Sequence, residues 1–263
     1  MKTGTQRPEA PQIVFTVNGP GEISGWMFPL IRALRQAIPD LRVAVCLLPC
    51  VYSTGAEVSV LQSLGVEVPV SVKDSLALIF RGRWPAGLSR TAPTLLFHLG
   101  GEVALTVLLS KRLHAPIYAY AERPLPYGFA FSRVFYNGLN ALPARLAASA
   151  EAAVGELMVD AAQLRRDAAQ AARTGRPTVG LFPGSREYMA EFLLPYYAVS
   201  VDALSAERPE IDWVMARADF VRMEFLRSLK APPEDRTWPA LPLTFHQDGE
   251  AAWLQTPAGN RIR

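Results

Sequence analysis

The sequence predicts an α/β protein built from two Rossmann-like doubly wound domains, and three observations support this fold class. A β-branched and aromatic run at residues 13–17 ends in a glycine-rich turn, after which apolar residues recur at helical spacing. The same succession of strand, turn and helix repeats along the first half of the chain, which is typical of parallel sheets with crossover helices. A new apolar strand begins at residues 177–182 and again meets a glycine turn.

Strands and helices alternate through the first predicted domain. The predicted strands cover residues 13–17, 41–48, 66–72, 94–99 and 117–121. The predicted helices cover residues 24–38, 58–64, 74–80 and 103–113. Pro39 stops the first helix, Gly65 is the usual glycine after the second, and Pro69 favours an edge position for the third strand.

The second predicted domain is shorter than the first. Its strands cover residues 177–182 and 211–216, its helices cover 192–204 and 220–229, and two weaker apolar runs cover 241–246 and 251–255. An α/β sheet of this kind normally contains several more strands, so we expect the chain to stop inside this domain. The predicted organisation is a disordered leader (1–12), an N-terminal domain (13–140), an Ala- and Arg-rich helical bridge (141–176) and an incomplete C-terminal domain (177–263).

Composition excludes several classes of protein. Half of the 263 residues are hydrophobic, the net charge is +3, and no Lys/Arg run points to a nucleic-acid partner. The N-terminus lacks the apolar core of a signal peptide, and no uncharged apolar stretch reaches about 18 residues. We therefore expect a cytoplasmic protein, with peripheral contact to the inner membrane face left open. Cys46 and Cys50 are expected to be reduced thiols, and the sequence predicts neither a metal site nor a bound cofactor.

Two glycine turns of the first domain carry carboxylates at predicted strand ends. The first contains Glu22 together with Gly19, Gly21, Ser24 and Gly25, and the second contains Glu102 after two glycines. A carboxylate at such a position can act as a general base on a hydroxyl group. The alternative is that each Glu only interacts with the positive end of a helix.

His98 and a group of aromatic residues have two interpretations each. His98 ends an apolar strand, where a buried structural histidine is commoner than a catalytic one. The aromatic residues either belong to the core or form an apolar wall for an acyl chain; they are Tyr118, Tyr120, Tyr127, Phe129, Phe131, Phe135 and Tyr136.

The turn Pro183-Gly184-Ser185-Arg186 predicts an anion site in the second domain. Gly184 permits close approach of the backbone, Ser185 offers a hydroxyl, and Arg186 offers a planar fork of donors for phosphate oxygens. At the start of a helix this combination suits a diphosphate. A plain helix cap with a surface arginine is the alternative.

Three segments together resemble the lipid-A-disaccharide synthases and related glycosyltransferases of the GT-B fold. Gly21-Glu22-Ile23-Ser24-Gly25 is similar to the family's G-E-x-S-G turn, and residues 154–160 (VGELMVD) are similar to its V-G-x-x-x-x-D segment. Residues 181–186 (LFPGSR) match its L-x-P-G-S-R turn, the most specific of the three. The resemblance covers roughly residues 12–216, and the order of the segments also fits.

The resemblance implies a sugar transfer with inversion from a UDP-sugar to an amphiphilic acceptor. The N-terminal domain would hold the acceptor, with Gly19, Gly21, Ser24 and Gly25 at the mouth of the cleft. The C-terminal domain would hold the donor, with its diphosphate at Gly184, Ser185 and Arg186. No further cofactor is implied.

The chain also departs from the family pattern. Trp26 stands where the family turn continues to Asp, and residues 97–102 (FHLGGE) replace an acidic segment tied to catalysis. Glu22, Glu102 and His98 are therefore the candidate catalytic residues. Two alternatives to a transferase stay open: a UDP-sugar epimerase-like enzyme, and an inactive remnant or binding module.

Overall fold

The computed structural model describes residues 9–51, 53, 55–138, 153–169, 175–229, 243–249 and 251–263. The chain divides into two compact units, Met1–Ala169 and Gln170–Arg263. Each unit combines a β-sheet with helices, which confirms the predicted α/β class. The predicted leader up to residue 8 and most of the predicted bridge lie outside the described residues.

The first unit is built on a sheet of six parallel strands. The strands are β1 (Gln12–Val17), β2 (Arg42–Leu47), β3 (Val68–Val70), β4 (Thr94–His98), β5 (Ile117–Ala121) and β6 (Arg133–Tyr136), in the spatial order β3-β2-β1-β4-β5-β6. Every residue of β1 is buried, as expected for a strand covered on both faces. The strand order reverses direction between β1 and β4, so the crevice that doubly wound sheets use for ligands opens at the carboxyl ends of these two strands.

Helices connect these strands. They are α1 (Phe28–Ala37), α2 (Glu57–Ser63), α3 (Val72–Arg81), α4 (Val103–Leu113) and α5 (Leu157–Ala169), and a π-helical turn (Glu22–Met27) precedes α1. The Ser71 hydroxyl accepts a hydrogen bond from the Asp74 amide and thereby caps α3. Helix α5 falls in the predicted bridge, but it packs against the π-helical turn and α1 within the first unit.

The sheet of the first unit contains the five predicted strands and one further strand, β6. β3 lies at the edge, where Pro69 removes no hydrogen bond from a central ladder. β6 was not predicted, because its four residues follow a loop of prolines and aromatics and mix one charged, one aliphatic and two aromatic side chains. It extends the sheet beside β5.

The second unit has a mixed sheet. Its strands are β7 (Thr178–Leu181), β8 (Asp212–Met215), β9 (Thr244–Asp248), β10 (Ala251–Gln255) and β11 (Arg261–Ile262), in the order β7-β8-β11-β10-β9. β7, β8 and β11 run parallel, whereas β10 is antiparallel to both β11 and β9. The predicted parallel β-α-β arrangement is thus present, and the two weaker runs form a hairpin that joins it through β11, a strand that was not predicted.

Two helices accompany this second sheet. They are α6 (Glu187–Glu207) and α7 (Met223–Ser228). Ala190, Leu194, Ala198 and Val201 form the buried stripe of α6 and pack in the core of the unit. The 21-residue α6 begins directly after the P-G-S-R turn, so this turn lies at the carboxyl end of β7 and the N-terminus of a long helix.

Candidate active site

The carboxylate of Glu22 lies against the turn that follows β1. Glu22 begins the π-helical turn, and its side chain folds back so closely that a Cβ built on Gly19 would lie 2.4 Å from Glu22 Oε2. No side chain other than hydrogen fits at Gly19 unless Glu22 moves away. The glycine therefore leaves the room that the carboxylate occupies.

The turn after β4 approaches the same carboxylate from the other side. A Cβ built on Gly100 would lie 3.0 Å from Asn18 Oδ1 and 3.2 Å from Glu22 Oε1. The amides of Leu99 and Gly100 donate to the carbonyl of Thr16, which ties this turn to the end of β1. The two predicted glycine turns thus meet around Glu22 at the crevice between β1 and β4.

Asn18 and Glu22 have no protein hydrogen-bond donor among the described residues. Asn18 Oδ1 is also shielded from solvent. Among the residues that the structure describes, none donates to or forms an ion pair with the half-buried Glu22. A buried oxygen without a donor is costly, so Asn18 Oδ1 is an unsatisfied group beside the half-buried Glu22 carboxylate.

The remaining residues of the first turn support this arrangement. Gly21 precedes the π-helical turn, and Ser24 and Gly25 lie within it. A Cβ built on Gly25 would lie 2.9 Å from Met158 Cγ, so the glycine lets α5 approach the turn closely. Two of the three segments that carry the family resemblance are therefore packed against each other.

Glu102 is exposed and caps a helix. Its side chain accepts a hydrogen bond from the Ala104 amide at 3.5 Å, at the N-terminus of α4. This is the alternative considered from the sequence, an acidic residue at the positive end of a helix. The role of Glu102 as a general base stays a prediction. Of the two candidate carboxylates, Glu22 is the one that lies between the two glycine turns.

His98 lies in the interior, with only 3% of its surface exposed. Its Nδ1 is 3.1 Å from Thr16 Oγ1 and 2.9 Å from Thr106 Oγ1, and the two hydroxyls are 3.0 Å apart. Burial lowers the pKa of His98 from 6.5 to about 4. This buried triad links β1, β4 and α4 beneath the crevice, a structural role that the sequence left open.

A second polar network was not predicted and lies at the carboxyl ends of β5 and β6. Glu156 accepts hydrogen bonds from Tyr120 Oη at 3.2 Å and from Asn137 Nδ2 at 3.0 Å. Tyr120 Oη in turn accepts the Leu157 amide at the start of α5, and burial raises the pKa of Tyr120 to about 12. Trp26 packs edge-on against the Tyr120 ring at 5.4 Å, which connects this network to the π-helical turn.

The sequence left two roles open for the aromatic residues, in the core or in an apolar wall for an acyl chain. In the structure some of them are buried and others are exposed. Tyr120 and Tyr136 are buried, which is the core interpretation. Tyr118, Phe131 and Phe135 are half-buried, whereas Tyr127 and Phe129 are exposed on the connection between β5 and β6.

In the second unit, the P-G-S-R turn connects β7 to the N-terminus of α6, and its role as an anion site stays a prediction. Gly184 has φ +95°, a conformation that other residues avoid, and it turns the chain from β7 into α6. Arg186 Nη1 donates to Ser185 Oγ at 3.4 Å, so the guanidinium and the hydroxyl lie side by side. Arg222 holds the first residue of the helix, Glu187, through two hydrogen bonds, and these lower the pKa of Glu187.

In the part of the chain that the structure describes, no three His, Cys, Asp or Glu side chains come together in a way that could hold a metal ion. No helix within the same residues is both long enough and apolar enough to cross a bilayer.

Comparison with known proteins gives structural similarity only. No protein-family model matches the sequence, and no curated protein matches it. The S. aureus MnaA–UDP complex aligns at 15% identity and a TM-score of 0.46, over 85% of this chain and 67% of that one.

Two further solved structures align at 12% identity. UDP-GlcNAc 2-epimerase from Neisseria meningitidis bound to UDP-GlcNAc has a TM-score of 0.42 and is aligned over 84% of this chain and 70% of that one. A glycosyl transferase of family 9 from Veillonella parvula has a TM-score of 0.38 and is aligned over 79% and 63%. This chain thus spans about two thirds of the length of these structures. None of the three is described as a lipid-A-disaccharide synthase, so that resemblance stays a prediction.

Proposed function

We propose that this chain belongs to an inverting glycosyltransferase that moves a sugar from a UDP-sugar to an amphiphilic acceptor. The observation that carries the proposal is the P-G-S-R turn, where Gly184, Ser185 and Arg186 lead into the N-terminus of the 21-residue α6. Backbone amides at a helix N-terminus, a hydroxyl and a guanidinium are the groups that bind a diphosphate. The second unit would hold the donor and the first unit the acceptor.

In this proposal Glu22 is the general base. An acceptor hydroxyl oxygen attacks the anomeric carbon of the sugar, the new C–O bond forms, and the bond to the diphosphate breaks. Glu22 takes the hydroxyl proton, and UDP leaves with the bonding electron pair. Arg186 and the amides at the start of α6 stabilise the negative charge that develops on the leaving diphosphate.

The amphiphilic acceptor and a peripheral contact with the inner membrane face are part of the same proposal. Tyr127 and Phe129 are its support, because their rings are 6.4 Å apart and Phe129 is 91% exposed. Exposed aromatic rings of this kind insert readily into the interfacial region of a bilayer. The expected localisation is cytoplasmic.

Binding of UDP to the purified full chain tests the donor site. We expect Arg186→Ala to weaken UDP binding by about tenfold or more, since it removes a charge-assisted hydrogen bond to phosphate. Arg208→Ala is the matched control, because Arg208 lies at the opposite end of α6 and pairs with Glu210 on the surface. Equal UDP affinity in the parent and in Arg186→Ala, measured by calorimetry, would contradict the donor site.

Turnover of UDP-N-acetylglucosamine separates the transferase from the two alternatives. A transferase releases UDP only when an acceptor such as an alkyl glycoside is added. An epimerase-like enzyme converts the nucleotide sugar without any acceptor, which proton NMR detects. An inactive remnant or binding module gives neither reaction.

A further inference from the structure

A cleft of about 300 Å³ runs along the outer edge of the six-stranded sheet. All three residues of β3 line it, and the rest of its lining comes from Asp74 in the first turn of α3 and from residues 83–86, which follow α3. A volume of this size is enough for a small ligand. Since β2 lies between β3 and β1, the cleft is separate from the crevice at the carboxyl ends of β1 and β4.

The loop that lines this cleft is held in place by contacts of its own. Trp84 Nε1 donates to the carbonyl of Leu88 at 2.8 Å, and the Arg90 guanidinium lies 5.1 Å from the centre of the Trp84 ring. Arg42 Nη2 donates to the carbonyl of Gly87 at 2.7 Å, which ties the loop to the start of β2. The indole in the cleft is therefore positioned before any ligand binds.

Two side chains of opposite charge line the cleft without pairing with each other. Asp74 Oδ2 accepts a hydrogen bond from the Ser71 hydroxyl at 2.8 Å, whereas Asp74 Oδ1 accepts none from the residues that the structure describes. Within the same residues, the exposed Arg83 guanidinium forms neither a hydrogen bond nor an ion pair. The carboxylate and the guanidinium can therefore each pair with an opposite charge of a ligand.

The spacing of these two charges along the chain favours an extended ligand. Asp74 lies in the first turn of α3 and Arg81 is its last residue, and the helix rises by about 10 Å between them. Arg83 follows beyond that end of the helix. A fully extended chain of three residues spans about 10 Å. A free amino acid carries both of its charged groups on one carbon atom and is too short for this spacing.

The edge strand supplies a hydrogen-bond acceptor to the same cleft. Residues of a parallel strand alternate between bonding to the neighbour on one side and to the neighbour on the other. Pro69 has no N–H, so Val68 and Val70 occupy the positions that bond to β2. The carbonyl of Pro69 therefore points to the open edge, where no strand of the sheet follows β3. An amide N–H of a ligand can donate to this carbonyl.

We propose that this cleft binds a short peptide with apolar side chains and free termini. The ammonium group of the peptide pairs with Asp74, its carboxylate pairs with Arg83, and an inner amide donates to the Pro69 carbonyl. An apolar or aromatic side chain of the peptide packs against Trp84 and Pro85, which line the cleft. This site is independent of the proposed sugar transfer, and binding involves no covalent step.

Calorimetric titration of the purified full chain with the tripeptide Ala-Phe-Ala tests this site, and the indole N–H signal of Trp84 in NMR spectra locates it. We expect saturable binding accompanied by a shift of the Trp84 signal. Arg83→Gln should weaken binding by about tenfold, because it removes a charge-assisted hydrogen bond to the peptide carboxylate. Arg81→Gln is the matched control and should bind like the parent, since Arg81 is exposed at the end of α3 but does not line the cleft.

Changes to the peptide test both of its ends without altering the protein. The N-acetylated peptide lacks the ammonium group and the amidated peptide lacks the carboxylate, so each should bind the parent about tenfold more weakly. The amidated peptide should bind the parent and Arg83→Gln equally, because the group that Arg83 recognises is already absent. Three outcomes would overturn the inference: no binding of Ala-Phe-Ala, an Arg83→Gln protein that binds it like the parent, and free phenylalanine that binds as tightly as the tripeptide.

Discussion

Gly25 and Met158 are in direct contact, although 133 positions separate them: a Cβ on Gly25 would lie 2.9 Å from Met158 Cγ. Gly25 belongs to the π-helical turn that begins with Glu22, and Met158 belongs to the first turn of α5. The contact joins the segment at the candidate active site to the segment that follows the Tyr120–Glu156 network. We infer that α5 stabilises the turn that presents Glu22.

A double-mutant cycle measures this contact. Gly25→Ala introduces a methyl group into the space of Met158, and overpacking of this kind costs about 1–3 kcal/mol. The gain in helix propensity from glycine to alanine offsets about 1 kcal/mol of that cost. In the Met158→Ala background the clash is gone and only the gain remains, so we expect a coupling energy of about 1 kcal/mol or more from urea denaturation. Additive effects of the two substitutions on the free energy of unfolding would show that Gly25 and Met158 are not energetically coupled.

The pH dependence of stability should report the buried His98. Its pKa is about 4 in the folded state and 6.5 without burial, so the unfolded state binds more protons between these values. Stability is therefore unaffected above pH 6.5 and is lost progressively as the pH falls from about 6.5 to about 4. The full effect is about 3 kcal/mol. Urea denaturation across this range measures it.

His98→Gln is the control for this pH effect, since glutamine keeps hydrogen-bonding atoms in the triad but does not titrate. The variant should have lower stability at pH 7 because the contacts to Thr16 and Thr106 change. Its stability should fall less steeply than that of the parent on acidification. Equal slopes in the two proteins would mean that other groups cause the acid sensitivity.

Much of the candidate site was predictable because its signals are local in sequence. A polar glycine turn directly after an apolar strand places Glu22, Gly19 and Gly100 at the carboxyl edge of a parallel sheet. Asn18, the first residue after β1, lies in the same turn. The P-G-S-R turn was likewise predictable, since a strand, a glycine turn and a helix follow one another within a few residues.

The parts that were not predictable depend on contacts between distant residues. His98 is held by Thr16, 82 positions away, and by Thr106 on the next helix, so its sequence neighbours could not distinguish a structural role from a catalytic one. Glu156 bonds to Tyr120 and Asn137 across 36 and 19 positions. Periodicity describes each element alone, and it contains no information on which polar side chains meet.

Substitution by alanine should destabilise the protein more at Gly184 than at Gly249, although both glycines have positive φ. Gly184→Ala places a methyl group 2.9 Å from Met189 Cβ at φ +95°, so both backbone strain and a clash act. We expect a loss of about 2 kcal/mol. Gly249→Ala, at φ +58° with open space around it, should cost about 1 kcal/mol. Equal thermal denaturation midpoints in the two variants would contradict this account of the turn.

Gly100→Ala tests whether the position of the Glu22 carboxylate matters for the proposed transfer. The residue has no positive φ, so alanine is compatible with the backbone, and the added Cβ would lie 3.0 Å from Asn18 Oδ1 and 3.2 Å from Glu22 Oε1. Since Glu22 is a flexible side chain, it can give way, and we expect a stability change of only about 1 kcal/mol. Acceptor-dependent UDP release should nevertheless fall by about tenfold or more, because the displaced carboxylate no longer meets the acceptor hydroxyl. Gly128→Ala, where the added Cβ has no neighbour within 4 Å, is the matched control and should leave UDP release unchanged. A Gly100→Ala protein that releases UDP like its parent would contradict the proposed role of Glu22 as the base.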